Sequence, residues 1–375
     1  MVTVRPIHSK RDIARFARFH NDLNRGNPYF VPVLEADERT NFDPQKNPCY
    51  AFCDAQCFLA ERDGRIVGRA AAIENKQYNQ MHGTRIVRLG RIDFIDDQEV
   101  FDKLIAAVED WGRQRGLTQL QGPLGFSDMD KLGLQTAGFD QLDMSVTLYN
   151  APYYPDYFRR AGFQTDARWR EYLITVPDQV PEKLTRMREL VMKRFKLHEF
   201  QFARMKDVLP YAREVFDLLN DAYTEMYGIV PFTHEQADFY ANEFLKFLKP
   251  DYVCVVMDET NRIVGIGVTA PSISRALQKG KGRLFPTGLI HLQRAFSHND
   301  RLDLYIVGVL KEYRGKGVNA IFMEKILRTC MEKGIKYAET GPELDYNYKV
   351  QSQWKLFDGV NHRARECFIR DIPQS

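Results

Sequence analysis

Two tetrads, Arg65-Ile66-Val67-Gly68 and Arg262-Ile263-Val264-Gly265, each follow a short polar turn, Asp63-Gly64 in the first case and Thr260-Asn261 in the second. Each turn is preceded by an apolar run. A strand, a tight turn and a second strand is the pattern of a β-hairpin, so the same hairpin is written twice in one chain. A second echo follows in each half. Arg115-Gly116-Leu117 leads into Gln121-Gly122-Pro123, and Lys333-Gly334-Ile335 leads into Thr340-Gly341-Pro342. In both, a glycine stands where a long helical pattern would stop. Repetition at this scale constrains the fold more than any local propensity, because each copy must form the same order of elements. The first copy predicts a strand near Val2–Val4, a helix over 11–23, the hairpin over 57–73, a strand over 86–95, a helix over 100–115, a strand over 118–121 and a helix over 153–161. The second predicts a strand over 198–205, helices over 208–224 and 235–248, the hairpin over 252–269, and a closing strand over 364–370. A length of 375 residues suits two domains. Pro177 and Pro181 mark the junction, which gives domains at 1–178 and 198–375 joined by a basic helical linker at 179–197.

The second copy contains a stretch that the first lacks. Leu304 to Val309 is an apolar strand, and it runs through Lys311, Tyr313, Arg314, Gly315, Lys316 and Gly317 into a helix whose buried stripe is Val318, Ile321, Phe322, Ile326 and Cys330. Two glycines let the backbone turn tightly and leave the first N–H groups of the helix without a side-chain cap. Such a helix start seats an anion, and three cations surround it. A strand over 335–340, Asn347, and a helix with Trp354 that ends near Gly359 complete the order. In this arrangement the chain resembles the GNAT superfamily of N-acetyltransferases, in the tandem form found in bacterial proteins. The matching motif is Arg314-x-x-Gly317-x-Asn319, with Asn319 standing where that family has glycine or alanine. The resemblance implies an α+β fold, layered α/β/α, of two tandem GNAT-like domains, each with a mixed, mostly antiparallel central sheet flanked by helices. It also implies acetyl-CoA, or another acyl-CoA, held by Val307, Gly308 and Val309 at the strand end, by Arg314, Gly315, Lys316, Gly317, Val318 and Asn319 at the turn, and by Asn347 and Trp354 beyond.

Transfer to an amine requires a deprotonated nucleophile and a polarised carbonyl. By the same resemblance a tyrosine acid is expected where this chain has Trp354, whose indole N–H can donate a hydrogen bond but does not titrate in this way. Tyr346 and Tyr348 are the nearest replacements, and Tyr348 is taken as the candidate. Glu339 is the first choice of base and Asp303 the second. The first copy replaces the basic turn with Ile95-Asp96-Asp97-Gln98-Glu99-Val100. There Asp96 and Glu99 have capping-box spacing, and acids would repel a diphosphate. This copy is therefore expected to keep the fold without the cofactor site. An aminoacyl-transferring tandem enzyme and a non-catalytic acyl-CoA-binding module are the alternative readings.

Lys and Arg number 53 against 50 Asp and Glu, a net charge of +3, which is far from the basic footprint of a nucleic-acid binder. No apolar run is long enough to span a bilayer. A cytoplasmic protein is expected, with a small-molecule or peptide amine as acceptor, no nucleic acid and no membrane partner, and room for a homodimer. Cys49, Cys53 and Cys57 lack the spacing of a zinc site, and no Gly-x-Ser-x-Gly elbow suggests a hydrolase. An insertion from Pro271 to His298, with Lys279, Lys281 and Arg283 among glycines, has no counterpart in the first copy. It is read as a lid on the substrate side.

Overall fold

The structure, a computed structural model, describes residues 1–127, 129–244 and 248–373. Its strands in chain order are β1 (Thr3–Ile7), β2 (Cys53–Arg62), β3 (Arg65–Asn75), β4 (Ile86–Phe94), β5 (Gln119–Gly122), β6 (Leu134–Ala137), β7 (Gln164–Thr175), β8 (His198–Glu199), β9 (Val253–Met257), β10 (Ile263–Pro271), β11 (Arg301–Val309), β12 (Tyr337–Thr340), β13 (Glu343–Leu344) and β14 (Val360–Asp371). The helices are α1 (Lys10–Leu23), α2 (Glu35–Asn41), α3 (Lys76–His82), α4 (Gln98–Arg113), α5 (Tyr154–Arg160), α6 (Glu182–Phe195), α7 (Ala212–Tyr223), α8 (His234–Phe244), α9 (Ser274–Gly280), α10 (Gly288–Ser297), α11 (Asn319–Lys333) and α12 (Tyr348–Trp354). The repeated order predicted from sequence is present: β2–β3 and β9–β10 are antiparallel hairpins. Each is followed by a parallel pair separated by a long helix, β4 with β5 and β11 with β12.

The strands join in one sheet, in the order β1-β2-β3-β4-β5-β14-β7-β12-β11-β10-β9-β8. The two halves therefore exchange their last long strands. β14, at the C-terminus, pairs with β5 of the first half, while β7 pairs with β12 of the second. The exchanged strands pair with each other along their length, placing Arg363 opposite Glu171 and Arg365 opposite Trp169. The strand predicted at 198–205 shortens to His198–Glu199, and the helix predicted from Val208 begins at Ala212 after two short 3₁₀ turns. Part of the predicted 235–248 helix lies outside the described residues.

Two helices sandwich the second half's sheet. An added Cβ on Gly308 would lie 2.7 Å from Leu218 of α7, and one on Gly265 would lie 2.7 Å from Phe322 of α11. Ile266 pairs with Gly308 and Gly265 with Val309, so the two glycines point to opposite faces. Glycine at both positions lets α7 and α11 approach closely. Gly334, at φ +70, closes α11 as predicted.

Candidate active site

β11 and β12 pair only as far as Leu304 and Thr340. Beyond that point β11 continues along β10 to Val309, while the chain after Gly341 turns away to β13, which pairs with β7. The gap between the diverging strands opens a cavity of about 930 Å³. A bulge adds to its shape: the register between β10 and β11 shifts so that Val268 faces Ile306 and Thr269 faces Leu304, leaving Tyr305 as the extra residue. A bulge re-aims side chains, and here it puts Tyr305 beside Asp303. The Tyr305 hydroxyl donates to Asp303 Oδ2 at 3.3 Å, and Tyr305 lines the cavity together with Ser145 of the first half.

The glycine turn lies at the edge of this opening. Gly315 and Gly317 hold φ of +73 and +84, and a Cβ on Gly317 would meet Val191 at 3.0 Å. No other residue type fits both requirements without strain. α11 starts without a side-chain cap. Among the described residues the N–H groups of Gly315, Gly317 and Val318 meet no acceptor. Val318 is buried, Asn319 lines the cavity, and the Lys316 ammonium lies over the rings of Phe195 and Tyr313. The Arg314 guanidinium donates to Val309 O and to Asp221, whose carboxylate also accepts from the Lys311 N–H at 2.8 Å. The turn is thus braced by an acid from α7 that the sequence reading missed. At Val307, expected to hold the cofactor through its backbone, the Tyr223 hydroxyl bonds the carbonyl at 2.7 Å.

The expected catalytic residues fall in different places. Glu339 is buried between Arg301, at 3.3 Å, His362, at 3.2 Å, and Arg363. Burial opposes its charge, but these partners outweigh burial and hold its pKa below the usual carboxylate value. A carboxylate so held is a poor proton acceptor, and Glu339 does not line the cavity. Asp303 is the reverse case. Burial first, then the charge of Glu339, raise it to about 7, and one of its oxygens is buried without a partner. Tyr346 and Tyr348 are exposed and do not line the cavity. Asn347 and Trp354 do line it. The Trp354 indole donates to both carboxylate oxygens of Glu343, at 2.9 and 3.1 Å. Burial raises Glu343 to about 7 against that hydrogen bond. Glu343 was missed in the sequence, where the only signal is an acid directly after Gly341-Pro342. Lys131, also missed, faces the cavity from the first half. Its ammonium donates to the Ser145 and Thr147 carbonyls at 2.7 and 2.9 Å, and burial lowers it to about 8.

The matching turn of the first half is plugged. Asp97, not Asp96, caps α4 by accepting the Val100 N–H at 3.1 Å. Asp96 instead accepts the Tyr157 hydroxyl, and Glu99 accepts the Val2 N–H. Arg62 bridges Asp97 and Glu99 at 2.8 and 2.9 Å. The helix start is capped by the Asp97 carboxylate, which Arg62 fixes in place.

Known proteins resemble this chain in sequence over 76% of its length and in fold over its full length. The acetyltransferase (GNAT) family model matches residues 212–352, from the start of α7 into α12. Protein YghO of Escherichia coli (strain K12) is 28% identical over 298 residues, 76% of this chain and 72% of that protein. The bacterial ceramide synthase of Caulobacter vibrioides is 28% identical over 294 residues, 76% of this chain and 74% of that one. Among solved structures, the tandem GNAT protein from the clavulanic acid biosynthesis pathway covers 100% of both chains with a TM-score of 0.57 at 12% identity. An N-acetyltransferase of the same superfamily from Sphaerobacter thermophilus covers 100% of this chain and 96% of its own with a TM-score of 0.54, also at 12% identity. At those identities the structural likeness is one of fold.

Proposed function

We propose that the protein is an acyl-CoA-dependent N-acyltransferase that binds its cofactor in the second half and transfers a long-chain acyl group to an amine; the match of residues 212–352 to the acetyltransferase (GNAT) family model and the fold likeness to a tandem GNAT protein support this reading. The observation that carries the chain-length reading is the cavity wall. Ala212, Val215, Phe216, Leu219 and Tyr223 all line it, and their spacing makes one continuous stripe along α7. That stripe spans about 16 Å at the helical rise, far more than acetyl needs and suited to an extended alkyl chain. Ile266, Val268, Ile306 and Leu277 add apolar wall. The name of the Caulobacter relative, bacterial ceramide synthase, denotes formation of an N-acylated lipid and agrees with this reading.

The residues present fit the cofactor. Free N–H groups at a left-handed glycine turn, on an uncapped helix, suit a diphosphate. Arg314 would exchange its bonds to Asp221 and Val309 for the anion. The Val307 backbone would hold the pantetheine amide in place of the Tyr223 hydroxyl. The cofactor supplies an activated acyl thioester; the protein supplies orientation and proton handling. Asp303, with Tyr305 between it and the cavity, takes the amine proton through the Tyr305 hydroxyl. Glu343, which burial holds partly protonated near neutral pH and which accepts the Trp354 indole N–H, would supply a proton to the leaving thiolate in place of the missing tyrosine.

The expected result for Arg314→Ala combined with Gly317→Glu is a loss of CoA affinity of at least about tenfold by calorimetry, because a cation is removed and an anion is set against the diphosphate. Unchanged CoA affinity in that variant would overturn the assignment of the cofactor site. The proton path is tested separately. In the wild type, kcat follows a bell centred near pH 7, with a rising limb where Asp303 loses its proton and a falling limb where Glu343 loses its own. Asp303→Asn should lower kcat roughly a hundredfold and flatten the rising limb. An intact rising limb in the variant would exclude Asp303 as the base.

A further inference from the structure

α9 and α10 form the insertion that only the second half carries, and its two faces differ sharply. The inner face is buried: Ala276, Leu277 and Leu292 pack on Val31 of the first half, with Leu34 beside them. Ile273, Leu277, Leu292 and Phe296 line the cavity. Polar contacts pin the hairpin to the first half. Gln278 donates to the Pro28 and Phe30 carbonyls at 2.9 Å each, and Arg283 meets Glu35 at 3.3 Å. The hairpin is thus a fixed wall of the cavity rather than a loose loop.

The outer face is apolar at its tip and cationic around it. Phe285 is 77% exposed, Ile290 50% and Leu289 44%. From Pro271 to Asn299 the chain carries Arg275, Lys279, Lys281, Arg283 and Arg294 and no acidic residue. Asp300 engages Arg275 and Glu35 engages Arg283. Lys279, Lys281 and Arg294 are exposed beside the apolar tip. The whole chain carries only +3, so this is a local concentration of charge. Large exposed apolar side chains ringed by cations match an interface with negative headgroups over hydrocarbon. A second copy of the chain suits the face poorly, because a two-fold contact would set these cations against themselves.

We propose that the α9–α10 hairpin docks the protein on an anionic lipid surface, with Phe285, Leu289 and Ile290 entering the headgroup region and Lys279, Lys281 and Arg294 meeting the phosphates. The inference rests on the long-chain acyltransferase reading. A long alkyl substrate is sparingly soluble, and docking at this wall brings the bilayer beside the cavity that would receive it. This departs from the sequence-based expectation of no membrane partner.

The test is flotation of the full chain with phosphatidylcholine vesicles, with and without about one third phosphatidylglycerol. Binding to the anionic vesicles, weakened by high salt and reduced roughly tenfold or more in Phe285→Ser/Leu289→Ser/Ile290→Ser and in Lys279→Glu/Lys281→Glu/Arg294→Glu, is the expected result. Both variants should keep wild-type CoA affinity by calorimetry, which shows that they fold and separates this proposal from the cofactor assignment. The proposal is overturned by no flotation of the wild type, by equal flotation of the variants, or by size-exclusion data showing a wild-type dimer that the serine variant dissociates. Failure of CoA binding with intact flotation would instead sink the acyltransferase reading while leaving the docking surface in place.

Discussion

Glu171→Ala is expected to destabilise the protein by about 3–5 kcal/mol, the cost of removing one partner from a buried ion pair. Glu171 is fully buried between two guanidinium groups, at 2.6 Å from Arg363 and 2.5 Å from Arg365. Both arginines are buried, and their other acidic partners are Glu339 and Asp143. Without Glu171, two buried cations share the remaining charge. The loss is a large part of the roughly 5–15 kcal/mol that holds a typical domain together. It should appear in urea denaturation as one shifted transition for both halves, since Glu171 lies on β7 and the arginines on β14, the two exchanged strands. Two separate transitions with only one shifted would contradict that coupling. The pH dependence has a definite sign. Burial alone would raise the Glu171 pKa, but the charges of Arg365 and Arg363 outweigh it and bring it down to about 2. A depressed carboxylate adds stability that is fully present above its ordinary value of about 4.5 and is lost as pH falls toward 2. The wild type should therefore lose stability through that window, and the alanine variant should lose less.

The order of elements could be read from the chain because its signals are local. Gly315 and Gly317 mark the turn, Gly334 ends α11, and two hairpins repeat around Gly68 and Gly265. Which strands meet across the sheet is another matter. Alternation along 164–175 and 360–371 gives the faces of β7 and β14 but no partner for either, so the strand exchange was not legible. Nor was the fate of Glu339. Its place on β12 was right, yet its partners Arg363 and His362 come from the exchanged strand, and they turn a candidate base into a fixed structural anion. Asp96 and Asp97 are adjacent acids, and only the entry angle into α4 selects the second as cap. Tyr305 joins Asp303 through one extra residue in a ladder, a shift that leaves no mark in composition. The tandem fold was legible from local pattern; the proton-handling groups depend on register.

On the proposed long-chain reading, Ala212→Trp is expected to shift transfer from long to short acyl chains. Ala212 opens α7, and Tyr223, at the other end of that helix, touches the gap between β11 and β12 through Val307. In the proposed binding mode the reacting end of the acyl chain lies at Tyr223, which makes Ala212 the distal end of the channel, about 16 Å away. A tryptophan there fills the last part of the channel without approaching the glycine turn, Asp303 or Glu343. Displacing three or four methylenes from apolar contact costs about 3 kcal/mol, which corresponds to more than a hundredfold in kcat/KM for the longest chains. Acetyl and short acyl groups do not reach Ala212 and should transfer at near wild-type rates. The measurement is kcat/KM against acyl length for both proteins with one amine acceptor. A parallel fall at all lengths would mean that α7 had been disturbed as a whole. An unchanged profile would mean that the alkyl chain does not run along α7, and the chain-length reading would fall while the cofactor assignment at Arg314 and Gly317 remained. Selective loss of the long chains would place the acyl tail in the channel whose outer wall is the α9–α10 hairpin, joining the transfer site and the lipid-facing surface in one continuous path.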